Sequence, residues 1–167
     1  RSVGVMLGGS NHAGILDKVL EVVRDVVPDE VVIYAAGVRD HDGAVTGVKA
    51  TGRLSASEIK RLFVRIDLLV TAAGQTVAEA VSCELPTVLI QTAENQMYNV
   101  RGWIDAGCSL FAGTHGQEDV WDRLRATVLR CLSMSVRRKQ VERMRHLRVR
   151  SATIHLARLL RECADTE

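Results

Sequence analysis

Short continuous apolar runs alternate along this chain with stretches in which apolar residues return every three or four positions. The first run, residues 3–7, has β character and is closed by Gly8-Gly9-Ser10; residues 13–27 then carry Leu16, Val19, Leu20, Val23 and Val27 at helical spacing. Pro28-Asp29 ends that helix, residues 31–36 read as a second strand closing at Gly37, and 38–47 form a polar, Gly-containing loop with His41 exposed. A short third strand is predicted over 48–51. Ser55 and Glu58 fit a capping box, in which the serine bonds the third helical amide and the glutamate reaches back, so a helix is expected over 56–65. An apolar run at 68–70 enters the small-residue turn Ala72-Ala73-Gly74, and 75–83 reads as a helix. After Pro86, residues 87–90 form a buried strand, 97–106 a helix stopped by Gly107, and 109–112 a last strand followed by a loop containing His115. Residues 119–132 and 136–160 are helical, the latter broken or kinked around 149–151. Strands alternating with helices specify an α/β fold, a Rossmann-like parallel sheet with helices on both faces.

Composition narrows the class. The 167 residues, 47% hydrophobic and 25% charged, suit one domain with a real core, so residues 1–167 are read as a single unit. No apolar run approaches the roughly 20 residues of a membrane span and nothing at the start resembles a signal peptide, so no transmembrane segment is expected and the cytoplasm is the expected location. The chain opens on Arg1-Ser2 without Met and enters an apolar run directly, which suggests an excised half of a larger protein. Cys83, Cys108, Cys131 and Cys163 are scattered without a CxxC pair; buried thiols are expected, and neither a zinc site nor a disulfide framework. The net charge of +2 hides an asymmetry, because 12 of the 22 Lys and Arg residues lie between Arg123 and Arg161. Arg137, Arg138, Lys139, Arg143, Arg145, Arg148 and Arg150 lack the aromatic interleaving of a nucleic-acid face. A solvated or domain-bridging surface is the better reading, with no nucleic acid as partner.

Candidate chemistry gathers between Leu68 and Gln96. The first amides of the helix at 75–83 have no internal partners and point at the turn, which suits an anion. Glu79 lies one turn further on the face carrying Gln75, so its carboxylate is placed to accept hydroxyl donors beside that anion. A phosphate next to a diol describes a nucleotide. The loop after 87–90 offers the amides of Asn95 and Gln96, and the Gly8-Gly9-Ser10 turn lets backbone approach a ligand closely while Ser10 or Asn11 caps the helix. Open α/β sheets bind ligands beyond the carboxyl ends of their strands, where all of these turns fall. His12 reads as an incidental residue of the cap region.

The run AAGQTVAEAVSCELPTVLIQTAENQ resembles the donor-binding signature in the C-terminal domain of GT-B nucleotide-sugar enzymes. It is most similar to the nucleotide-sugar hydrolases of the pseudaminic acid pathway and the related spore coat polysaccharide proteins, and next to MurG-like glycosyltransferases. The resemblance covers residue 8 to about residue 107. It implies that Gly9, Ser10, Gly74, Gln75 and Thr76 bind a diphosphate, that Glu79 accepts the ribose hydroxyls, and that Leu54, Ser55 and Ala56, within 54–57, read a pyrimidine base through backbone groups. It further implies that Asn95 and Gln96 hydrogen-bond the sugar. No metal and no cofactor are implied, and catalysis would draw its general base from an N-terminal GT-B domain or partner subunit. This sequence departs from the family at 148–151, where members usually carry a glycine before the last helix. The expected function is the donor-binding half of an enzyme that displaces a nucleotide, uridine-based by analogy, at an anomeric carbon. The wording GQTVAE and ENQ slightly favours a nucleotide-sugar hydrolase over a glycosyltransferase of polysaccharide biosynthesis. The donor-binding subunit of a two-chain transferase and a non-catalytic nucleotide-binding module are the alternatives.

Overall fold

The computed structural model describes residues 1–8, 14–37 and 47–147. Six parallel strands, β1 (Ser2–Met6), β2 (Val32–Ala35), β3 (Val48–Ala50), β4 (Leu68–Ala72), β5 (Thr87–Gln91) and β6 (Ser109–Thr114), form one sheet in the order β3-β2-β1-β4-β5-β6. Helices α1 (Ile15–Val26), α2 (Ala56–Arg65), α3 (Thr76–Ser82), α4 (Met97–Asp105), α5 (Val120–Cys131) and α6 (Met134–Leu147) connect or follow the strands. The expected α/β, Rossmann-like architecture is therefore present.

Alternation along the central strands divides the helices between two faces. Val3, Val5, Leu68, Val70, Val88 and Ile90 pack with Leu16, Val19, Leu20 and Val23 of α1 and with Leu124 and Val128 of α5. Leu69 lies with Leu62 and Phe63 of α2 and Ala80 of α3, while Leu89 lies with Val77, Val81, Val100 and Met144 of α3, α4 and α6. Every residue of β4 is buried, which is why it reads as a continuous apolar run and not as an alternating one. Each such Leu or Val contributes about 1.5–3 kcal/mol by leaving water. Gly4 has a packing reason: a Cβ there would stand 2.5 Å from Ile66 Cδ1, so the missing side chain lets Ile66 lie across β1.

Several boundaries move. β4, β5 and β6 run further than the apolar runs suggest, because Thr71, Ala72, Gln91 and Thr114 continue the ladder opposite Leu89, Ile90 and one another. Backbone pairing, and not side-chain hydrophobicity, decides where these strands end. The capping box forms as expected: the Ser55 amide and hydroxyl donate to Glu58 Oε2 at 2.8 and 2.6 Å, and these bonds hold the Glu58 carboxyl below its ordinary pKa. A 3-10 turn, Glu94–Gln96, precedes α4, and Gly107 takes the left-handed conformation (φ 70°) just beyond it. α6 begins at Met134, two residues earlier than expected. The polar loop with His41, the kink at 149–151, the helical continuation to 160 and Cys163 lie outside the described residues. Cys108 and Cys131 are buried and Cys83 half-buried; burial pushes the Cys131 thiol up to about 11. No helix among the described residues is long and apolar enough to cross a membrane.

The basic last helix holds a polar contact that its composition hides. Gln140 is buried, accepts the Thr87 amide at 2.9 Å and donates to the Thr87 carbonyl at 3.3 Å, so α6 pairs the backbone of the first residue of β5. A buried amide left without an acceptor costs about 1–3 kcal/mol. Gln140→Leu should therefore lower the free energy of urea unfolding by about that amount, whereas a change within about 0.5 kcal/mol would mean the contact carries no weight.

Candidate functional site

The strand order reverses between β1 and β4. From β1 the chain builds outward through β2 and β3, then returns to lay β4 on the other side, with Met6 opposite Thr71. The carboxyl ends of β1 and β4 therefore form the switch point of the sheet, the place where open α/β sheets take ligands in a crevice. Gly8, at φ 96°, occupies a conformation that only glycine adopts without strain, and it turns the chain out of β1 at that crevice. The expected phosphate residues Gly9 and Ser10, with His12, lie outside the described residues.

Across the crevice, the Gly74 amide bonds back to the Ala72 carbonyl at 2.8 Å, a tight turn that throws the chain straight into α3. The amides of Val77 and Ala78 find Gly74 and Gln75 carbonyls, but among the described residues no acceptor stands against the amides of Gln75 and Thr76. α3 is seven residues long, so two N–H donors, more than a long-range dipole, are what this turn would offer an acceptor. Gly74 has open space where a Cβ would be. The turn is braced by Asn99, whose side-chain amide donates to the Ala73 carbonyl at 3.1 Å. Asn99 was not singled out in the sequence; its spacing of three from Gln96 on a helical first turn was the available signal.

Glu79 is exposed on α3 and lines an open groove of about 620 Å³ between α2 and α3, together with Ala56, Ile59, Lys60, Phe63, Ser82 and Cys83. Two residues expected to serve different parts of one ligand, Ala56 and Glu79, thus meet in one groove. Leu54, half-buried, and Ser55, exposed, precede Ala56 and do not line the groove, and the Ser55 side chain is engaged by Glu58. Gly74, Gln75, Thr76, Asn95 and Gln96 do not line this groove. Asn95 is exposed. Gln96 is tied into its own turn, its Oε1 accepting the Thr92 amide at 2.9 Å and its Nε2 donating to Thr92 Oγ1 at 3.2 Å. It therefore offers a ligand its remaining N–H, and not the free carboxamide that the sequence suggests. Among the described residues no group of three or more His, Cys, Asp or Glu is placed to hold a metal ion.

Six parallel strands in this order, with helices on both faces, define a Rossmann-like α/β domain. No family model and no curated protein sequence matches the chain. Solved structures do. The glycotransferase of kitacinnamycin superposes with a TM-score of 0.70 at 20% identity, over 97% of this chain and 43% of that one. SsfS6, a glycosyltransferase of Streptomyces sp. SF2575 solved with thymidine diphosphate, gives 0.66 at 19% identity over 96% and 41%. MurG of Acinetobacter baumannii gives 0.70 at 16% identity over 95% and 49%. At these identities the likeness establishes the fold, that of a Rossmann-like unit in GT-B glycosyltransferases, and this chain spans less than half the length of each.

The open space at Gly74 makes the anion site separable from stability. Its φ is ordinary, so Gly74→Ala should leave stability unchanged or raise it by up to about 1 kcal/mol. The same methyl group would occupy space that an anion on the Gln75 and Thr76 amides needs, and should weaken stabilisation by pyrophosphate in thermal unfolding. Undiminished pyrophosphate stabilisation in that variant would remove these amides from the site.

Proposed function

We propose that this chain is the donor-binding, C-terminal half of a GT-B enzyme that displaces a nucleoside diphosphate from the anomeric carbon of a sugar. The observation that carries the reading is the arrangement at the α3 end of the crevice. Two uncommitted amides, Gln75 and Thr76, open the helix, and one turn further Glu79 projects into a groove shared with Ala56. A carboxylate accepts two neighbouring hydroxyls, backbone amides donate to phosphate oxygens, and the apolar wall of Ile59 and Phe63 suits a flat base. In this reading the base meets backbone groups at 54–56 and the sugar meets Asn95 and the free N–H of Gln96. Gly9 and Ser10 complete the diphosphate site from the β1 side.

The chemistry required of this half is electrostatic. As the bond to the anomeric carbon breaks, negative charge grows on the leaving diphosphate, and amides fixed by the β4–α3 turn stabilise it without reorganising. The general base belongs to the other half, a reading supported by the match covering less than half of each similar structure. Their names support a hydroxyl acceptor, and hence a glycosyltransferase; the slight preference of the sequence wording for water as acceptor finds no support among them.

One neighbour holds thymidine diphosphate, which has a single free ribose hydroxyl where uridine diphosphate has two. That difference tests Glu79. Calorimetric titration should show Glu79→Ala weakening UDP by about 10- to 100-fold, the equivalent of about 1–3 kcal/mol for charged hydrogen bonds, and weakening thymidine diphosphate less. Equal affinity of parent and variant for UDP would sink the assignment of Glu79.

A further inference from the structure

The groove between α2 and α3 carries a second charge that the site described so far does not use. On α2, Ala56, Ile59, Lys60 and Phe63 stand at i, i+3, i+4 and i+7, so they form one stripe; Glu79 and Ser82 of α3, with Cys83 at its C-cap, stand at i, i+3 and i+4 and form the facing stripe. The groove is therefore lined by one cation and one carboxylate, Lys60 on one wall and Glu79 on the other. Neither joins a salt bridge within 4.0 Å among the described residues. Two opposite charges held apart across an open groove suit a ligand that offers hydroxyl donors at one end and an acceptor oxygen at the other, with a flat apolar body between them. Half-buried Ile59 and buried Phe63 supply the apolar wall for that body.

A nucleoside has this polarity, and the facing groups constrain its base. With the ribose hydroxyls on Glu79, the atom reaching Lys60 belongs to the far edge of the base. An ammonium has three donors and no acceptor. Uracil and thymine present a carbonyl oxygen at position 4 of that edge, whereas cytosine presents there an amino group, itself a donor, which cannot accept from the ammonium. Sites that hydrogen-bond one partner discriminate strongly against an analogue that cannot return the bond.

We propose that Lys60 is a specificity-determining residue that selects 4-oxo pyrimidine nucleotides, uridine or thymidine, over cytidine. The proposal rests on the donor-binding reading above and adds to its backbone contacts a side chain that reads the base. Its test is a calorimetric comparison of UDP and CDP on the parent domain, on Lys60→Met and on Lys60→Arg, with circular dichroism to check that each folds. The parent should prefer UDP. Lys60→Met should lose about 10- to 100-fold in UDP affinity with little change for CDP, and Lys60→Arg, which keeps a donor-only cation, should retain the preference. Equal loss of UDP and CDP in Lys60→Met would reduce Lys60 to a general phosphate attractor and overturn the proposal while leaving the donor site standing. An unchanged UDP preference in Lys60→Met would do the same. A parent domain that binds neither nucleotide, and gains no stability from pyrophosphate, would overturn the donor-binding reading and the role of Lys60 together.

Discussion

The pairing of β1 with β4 is the constraint on which the rest of the structure depends. Val3 to Met6 lie opposite Leu68 to Thr71, in the middle of a sheet whose two faces are both covered by helices. A strand buried on both faces has no solvent to satisfy its backbone, so the chain can change direction only at the strand ends. Because β1 and β4 lead to helices on opposite faces, α1 and α3, no shared crossover covers their carboxyl ends. Parallel topology, and not any single side chain, creates the place where chemistry can occur.

On the β4 side of this switch point the free donors among the described residues are backbone amides. The β4–α3 turn presents two amides because Gly74 bends tightly onto Ala72 and Asn99 holds the turn from α4. Donors anchored in this way keep their aim when a charged ligand arrives, which is what stabilising a leaving group needs. Side chains differ according to their helix: Glu79 on α3 and Lys60 on α2 line opposite walls of the groove, and Gln96 is half committed to Thr92.

The order of strands and helices was legible because each buried strand is an apolar run and each helix carries a period near 3.6. The capping box at Ser55 and Glu58 and the left-handed Gly107 were legible for the same reason, as local chemistry written in adjacent residues. Strand ends were less so, since Thr71, Gln91 and Thr114 join the ladder through backbone bonds that side-chain character does not announce. Long-range polar contacts were invisible: Gln140 sits in a basic helix, yet its amide serves Thr87, 53 residues away, and Asn99 serves Ala73 across 26. In the candidate site the sequence brought out Glu79 and the Gln75-Thr76 turn, whose signal lies within one segment. It did not bring out Lys60, because the facing of α2 and α3 is decided by packing on Leu69 and Ala80 and not by either helix alone.

The central claim is that the Gln75 and Thr76 amides hold a phosphate. Residue-resolved amide hydrogen exchange, followed with UDP and separately with uridine, tests it directly, because the two ligands differ only in the group those amides are said to bind. The account predicts that UDP slows exchange at Gln75 and Thr76 while uridine at equal occupancy leaves both unprotected. Equal protection by the two ligands, or none by UDP under saturating conditions, would contradict it.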